Sequence, residues 1–239
     1  MALFSKNEHA NAKDMPEVLF FGKYNCDYSQ KAFQHLELLG FNVQSVWSQN
    51  RIEHLPEETN YWSGEYIICF RSYLLLPKSL LNRASIAAVN FHPGPVEYPG
   101  SGCLNWALYN NADTYGATAH IMDEKIDNGA IIECRRFPIL EDDNVTTLLA
   151  RAHLTTFNLL VDITTGLARD GKTFLDYKLE ASQSEKWAGK AKKMSEIDKL
   201  QVVSPSSTKE ELERVIRATY TPDFPPEIHL HGYKFVLKE

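Results

Sequence analysis

Short unbroken apolar runs alternate along this chain with segments whose apolar residues recur every three or four positions, the pattern of strands exchanging with helices. Val18-Leu19-Phe20-Phe21, closed by Gly22, reads as a strand buried on both faces. Ala32, Phe33, Leu36, Leu38 and Leu39 then fall at helical spacing up to Gly40, a suitable C-terminal stop. Further strands are predicted over residues 43–47, 66–70 and 87–91, with a short helix over 77–81. A helix over 103–110 and strands over 118–122 and 130–137 follow. Leu148, Leu149, Ala152, Leu159, Leu160 and Ile163 mark a long helix over 145–167. Strands that alternate with helices imply an α/β fold, a doubly wound and mainly parallel sheet with right-handed crossovers.

After residue 170 the pattern shortens. A short segment over 197–200 is followed by an expected helix over 208–219, and Ile228-His229-Leu230 with Phe235-Val236-Leu237 flank a turn, predicting a terminal β-hairpin. The expected organisation is a polar, poorly ordered lead over 1–16, a main domain over 17–170 and a small α+β region over 171–239.

Composition narrows the partners. With 239 residues and 44% hydrophobic content there is enough apolar material for one sizeable core. The formal charge of -6 disfavours a nucleic-acid footprint, which is normally basic, and favours small-molecule substrates. No apolar run approaches the roughly 18 residues of a membrane span, and the opening has no signal-peptide core, so a cytoplasmic location is the expectation. Cys26, Cys69, Cys103 and Cys134 are scattered, without paired spacing, so neither disulfides nor a metal site is expected.

Candidate chemistry gathers at Asn90-Phe91-His92-Pro93-Gly94-Pro95 and Asp127-Asn128-Gly129. Asn90 and His92 are two apart at a strand end and so share one face of the pleat. The prolines and glycines that follow keep the imidazole out of a helix, and Asn128-Gly129 fixes Asp127 at a turn. An imidazole with an oriented amide and a carboxylate can move a proton and hold a developing oxyanion, the two needs of acyl transfer to an amine. The loop Gly22-Lys23-Tyr24-Asn25-Cys26-Asp27-Tyr28-Ser29 precedes a helix whose N-terminal amides can face a phosphate; Lys23 and Arg217 are candidate cations for a diphosphate, and Asp27 or Ser29 serves equally as a plain cap. No GxGxxG or P-loop is present. Trp187 and Tyr220, aromatic residues in polar surroundings, suit either stacking on a nucleobase or packing of the tail.

These motifs resemble the folate-dependent formyltransferases, over about residues 18–137. The Asn-x-His pair and the later Asp of that family match Asn90, His92 and Asp127; Tyr73-Leu74-Leu75-Leu76-Pro77-Lys78 and Tyr115-Gly116-Ala117-Thr118-Ala119-His120 match as well. The text around Tyr98-Pro99-Gly100, with Ile216-Arg217-Ala218-Thr219-Tyr220 and His231-Gly232-Tyr233-Lys234-Phe235, is most similar to enzymes that formylate nucleotide-linked amino sugars. The resemblance implies a Rossmann-like formyltransferase fold and a catalytic trio of Asn90, His92 and Asp127, with Asp127 orienting the imidazole and favouring its protonated form. It implies 10-formyltetrahydrofolate as co-substrate, released as tetrahydrofolate, in a slot formed by Ser72, Tyr73, Leu74, Leu75, His120 and Ile126. Core packing competes for Leu74 and Leu75. The acceptor implied is a dideoxy-amino sugar on thymidine diphosphate, held by Lys23, Ser29, Tyr98, Trp187, Arg217 and Tyr220, for lipopolysaccharide O-antigen or other surface-polysaccharide biosynthesis. Alternatives are another amine acceptor, such as methionyl-tRNA, and a non-catalytic sensor of folate or nucleotide sugar. A homodimer is expected, since a lone hairpin is marginal in water.

Overall fold

The computed structural model describes residues 3–6 and 15–238. Leu3–Lys6 form a strand, β1, within the expected lead; the remainder of that expectation, residues 1–2 and 7–14, lies outside the described residues. The chain divides into two compact units. The first comprises residues 1–92, 118–134 and 156–186, and the second residues 93–117, 135–155 and 187–239. The division is therefore interleaved along the sequence rather than placed at one boundary.

Six further strands join β1: β2 (Glu17–Lys23), β3 (Asn42–Ser48), β4 (Gly64–Phe70), β5 (Ala84–His92), β6 (Thr114–Ile121) and β7 (Ile131–Pro138). Their order is β1-β3-β2-β4-β5-β6-β7. β3, β2, β4 and β5 are parallel neighbours, whereas β1 joins β3 and β6 joins β5 antiparallel. The central strands are apolar on both faces because both faces are covered: Val18, Leu19, Phe20 and Phe21 on β2 are all fully buried. α1 (Asp27–Leu38) returns the chain from β2 to β3, burying Ser29, Ala32 and Leu36, and stops where Gly40 takes a left-handed φ of 86°. α2 (Lys78–Leu81) leads into β5. Because β3 lies on one side of β2 and β4 on the other, the winding reverses at the carboxyl ends of β2 and β4, where ligands of such sheets collect.

α4 (Val145–Ala181) is two helices end to end, the first of which holds the expected 145–167 segment. It is broken at Gly171, whose φ of 54° and ψ of -130° suit glycine alone.

In the second unit, α3 (Cys103–Tyr109) and α6 (Lys209–Thr219) pack around Leu104, Ala107, Leu108, Tyr115, Leu148 and Ala218. α5 (Met194–Leu200) precedes a short strand, β8 (Val202–Val203). β8 begins a three-stranded sheet completed by β9 (Glu227–Leu230) and β10 (Tyr233–Val236), the expected hairpin. Its turn is the pair His231 and Gly232, both left-handed at φ 50° and 83°, as a two-residue primed turn requires. Among the described residues no helix is long and apolar enough to cross a membrane.

Candidate active site

The first unit assembles the predicted trio. β5 and β6 pair with Asn90 opposite His120 and His92 opposite Thr118, so these four side chains share one face of the sheet. Asp127 arrives from the loop after β6. Its φ is 46°, uncommon for a non-glycine residue, and Gly129 allows the loop to return: a Cβ there would lie 1.9 Å from the Ile121 carbonyl oxygen. His92 and Asp127 are 4% and 7% exposed, so their polar atoms must find partners inside the protein.

They find one another. Asp127 Oδ2 is 3.2 Å from His92 Nδ1, and its Oδ1 is 3.3 Å from His120 Nε2. Asn90 Nδ2 is 3.0 Å from the same His120 Nε2. His120 Nδ1 is 2.8 Å from the Ile121 carbonyl, which can only accept, so Nδ1 carries a proton. In the neutral ring, Nε2 then accepts from Asn90; when protonated, it faces Asp127. The Asn90 amide has two N–H donors and directs one at His120. One carboxylate thus lies between two imidazoles, an arrangement able to receive a proton and to accompany a positive charge on either ring. His120, expected only as part of the folate slot, is a full member of this cluster. The missing signal was register, since pairing across to β6 is not contained in either segment alone.

A second group of predicted residues meets at the ends of β2, β3 and β4. Ser48 is fully buried and donates its hydroxyl to the Gly22 carbonyl at 3.2 Å. The same oxygen lies 3.2 Å from Ser72 Oγ and accepts the Tyr73 N–H at 3.0 Å, and Ser72 Oγ accepts the Leu74 N–H. Ser48, unremarked in the sequence, therefore ties three strand ends together; its only clue was a hydroxyl at the end of a predicted strand. Ser29 corrects the sequence reading: it is fully buried, its hydroxyl accepting the Lys23 N–H and reaching the Phe70 carbonyl, so it pins the loop instead of facing a ligand.

Lys23 Nζ lies 5.2 Å from the centre of the Tyr73 ring, within cation–π range. Arg71, missed in the sequence, turns left-handed at φ 60° and bridges to Gly22. Burial alone would raise the Cys26 thiol, yet it sits below its usual value because the Ser29 hydroxyl and N–H, the Arg71 charge and the Tyr28 N–H favour the thiolate. Cys69 is the contrast: burial pushes it to about 12, with Asp127 adding to the rise, so it is an inert core thiol.

The folate-slot candidates divide. The Leu74 side chain is buried in the core with Leu19, Phe21 and Ile67, which leaves only its backbone to face the slot. Leu75 and Ile126 are 74% and 55% exposed, large apolar surfaces on the loops after β4 and β6.

The other four candidates belong to the second unit. Tyr98 packs 6.5 Å from buried Tyr115, ring to ring. Trp187 is half-buried, and its neighbour Ala188 donates to the Val96 carbonyl. Tyr220 caps α6, its N–H on the Ile216 carbonyl. Arg217 gives Nε to the Asp143 carbonyl at 3.0 Å and Nη2 to the Leu140 carbonyl at 3.1 Å. That guanidinium anchors the turn before α4 through these two carbonyls.

Comparison with known proteins agrees with this geometry. The formyl transferase family profile (Formyl transferase) matches residues 26–164, more than half of the chain. GDP-perosamine N-formyltransferase of Brucella melitensis biotype 1 is 26% identical over 188 residues, covering 78% of this chain and 69% of that protein. Methionyl-tRNA formyltransferase of Thermosynechococcus vestitus is 29% identical over 121 residues, 49% of this chain, and the match spans only 37% of that longer protein. Among solved structures, a sugar N-formyltransferase from Shewanella sp. superposes with a TM-score of 0.69 at 20% identity, covering 94% of this chain and 97% of that one. The N-formyltransferase from Helicobacter canadensis, solved with folinic acid and dTDP-3-aminofucose, superposes at 0.66 with 15% identity, covering 91% and 85%. These likenesses carry the fold, and the profile match carries the family: the chain belongs to the formyl transferase family.

Proposed function

We propose that this protein transfers a formyl group from 10-formyltetrahydrofolate to the primary amine of a nucleotide-linked amino sugar. The observation that carries the reading is the cluster of half-buried Asn90 with buried His92, His120 and Asp127, in which a carboxylate separates two imidazoles and an amide keeps a donor to spare. The neutral amine attacks the formyl carbon, and the oxyanion that forms is met by the second Asn90 N–H and by Nε2 of protonated His92. The new C–N bond forms, the bond from the formyl carbon to N10 of the donor breaks, and the proton lost by the amine ends on N10. Asp127 assists that transfer by holding the His92 ring through Nδ1 and by accepting the proton from the ammonium.

Leu75 and Ile126 suit the flat pteridine of the donor, since covering large exposed apolar groups is favourable. The acceptor's diphosphate is assigned to Lys23 and to the amides at the α1 N-terminus, with the Arg71 charge close to Cys26 beside them. Thymidine diphosphate is the carrier we assign, as in the ligand of the Helicobacter canadensis structure; the guanosine carrier named for the Brucella relative is the competing one. The negative charge argues against tRNA as acceptor. Synthesis of a formylated surface polysaccharide such as O-antigen in the cytoplasm, by a homodimer, completes the reading. The exposed Tyr233 and Phe235 of β10 are the surface assigned to the dimer.

Incubation with 10-formyltetrahydrofolate and a panel of dTDP- and GDP-linked amino sugars, read by mass spectrometry, tests the proposal. A formylated dTDP-sugar is expected; product from the GDP-sugar alone reassigns the carrier, and no product from any amino sugar overturns the function. Light scattering tests the dimer: Phe235→Ser is expected to shift the mass to that of one chain, and a monomeric parent protein overturns the assembly.

A further inference from the structure

The pose of Asp127 depends on a short loop that must hold a left-handed residue in place. Backbone hydrogen bonds fix the loop at its two ends: Met122 N–H reaches the Ala88 carbonyl on β5, and Ile121 N–H reaches the Ala130 carbonyl, both at 2.8 Å. Between them the fastening is a side chain. Asp123 Oδ1 accepts the Lys125 N–H at 2.8 Å, and Asp123 Oδ2 accepts from Asn128 Nδ2 at 2.6 Å. Asn128 directly follows Asp127, so the Asp123 carboxylate spans the loop from its first turn to the residue beyond the catalytic one.

We propose that Asp123 is a positioning residue, which with Asn128 closes the 123–128 segment and so sets Asp127 between His92 and His120. The physical reason is leverage. A hydrogen bond in an exposed loop adds little to global stability, because water replaces it when it breaks. A displacement of a catalytic group by about 1 Å, however, can cost on the order of 10²-fold in rate. Removing the Asp123 link should therefore affect catalysis far more than folding, which separates positioning from a merely structural role.

The activity arm of the test rests on the proposed formyl transfer, so a second arm reads the cluster without any substrate. Asn128→Asp sets two carboxylates against each other, and the double variant Asp123→Asn/Asn128→Asp restores the hydrogen bond with donor and acceptor exchanged. The ring-nitrogen NMR signals of His92 and His120, assigned with His92→Gln and His120→Gln, report whether Asp127 still meets them. Both signals are expected to move in Asp123→Ala and Asn128→Asp and to return in the double variant, with melting temperatures close to the parent's. For formyl transfer, kcat is expected to fall about tenfold in the single variants, with acceptor KM nearly unchanged, and to recover in the double variant. Ring signals that match the parent's in folded Asn128→Asp, or a double variant no nearer the parent than the single, would overturn the proposal. Should Asn128→Asp fail to fold, Asp123→Asn, which keeps an acceptor for Lys125, gives the same reading against the parent spectrum. If the parent protein formylates no acceptor, the functional reading falls, while the ring signals still decide the role of Asp123.

Discussion

The β5–β6 pair and the β9–β10 hairpin are both two antiparallel strands in register, yet they hold their side chains in opposite conditions. In the first, His92 and Asp127 are 4% and 7% exposed, and each polar atom that matters is met by another. In the second, Tyr233 and Phe235 are 71% and 56% exposed, and Glu227 meets Lys234 and His229 on the surface. Where water is excluded, an unmet polar group is costly, so the groups of the cluster fix one another's positions. Where water remains, the ion pairs contribute little and the apolar side chains retain surface that only a further partner can cover. The proposed formyl transfer needs the first condition, and the proposed dimer contact needs the second.

The sharpest way to break this comparison is at the cluster. His92→Ala or Asn90→Ala is expected to lower formyl-transfer turnover on the order of 10²-fold or more in a folded protein, measured by steady-state kinetics. Turnover near the parent's would show that the buried cluster is packing and not chemistry. Next in size is a pair of glycine substitutions, one in each region. Gly129→Ala brings a Cβ to 1.9 Å from the Ile121 carbonyl oxygen, and is expected to destabilise by about 3 kcal/mol in denaturant unfolding. Gly232→Ala meets nothing within 4 Å and bears only the strain of φ 83°, about 1 kcal/mol. Equal effects would erase the contrast between the two loops.

The smallest effect sharpens the comparison by removing a confounder. Burial holds the His35 ring below its ordinary 6.5, so below that pH the unfolded chain binds a proton that the folded one resists. Stability should fall as pH drops from 6.5 towards the lowered folded value, and His35→Gln should flatten that part of the curve, by less than about 1 kcal/mol. Unfolding curves at several pH values check this; an unchanged slope in His35→Gln would leave the acid sensitivity to other groups.

Much of the fold was legible because strand and helix periodicities are local. Val18 to Phe21, the helix ending at Gly40 and the hairpin turn at Gly232 are each set by residues within a few positions, and each lies where the pattern put it. The partners of Arg217, Ser29 and Leu74 were not legible for one reason: a charge, a hydroxyl or an apolar group shows its chemistry in the sequence, but not which carbonyl, N–H or core it will meet.

By itself, the sequence determined the alternation of strands and helices and placed Asn90 and His92 on one side of a strand, since the pleat has a period of two. It also named Asp127 as the carboxylate, through the turn that follows it. Only the tertiary structure decided that His120 lies opposite Asn90 and faces the same carboxylate, that Ser48 joins three strand ends, and that Asp123 spans the loop that carries Asp127. Register between strands and closure of loops are set by contacts far apart along the chain, and such contacts leave no periodicity to read.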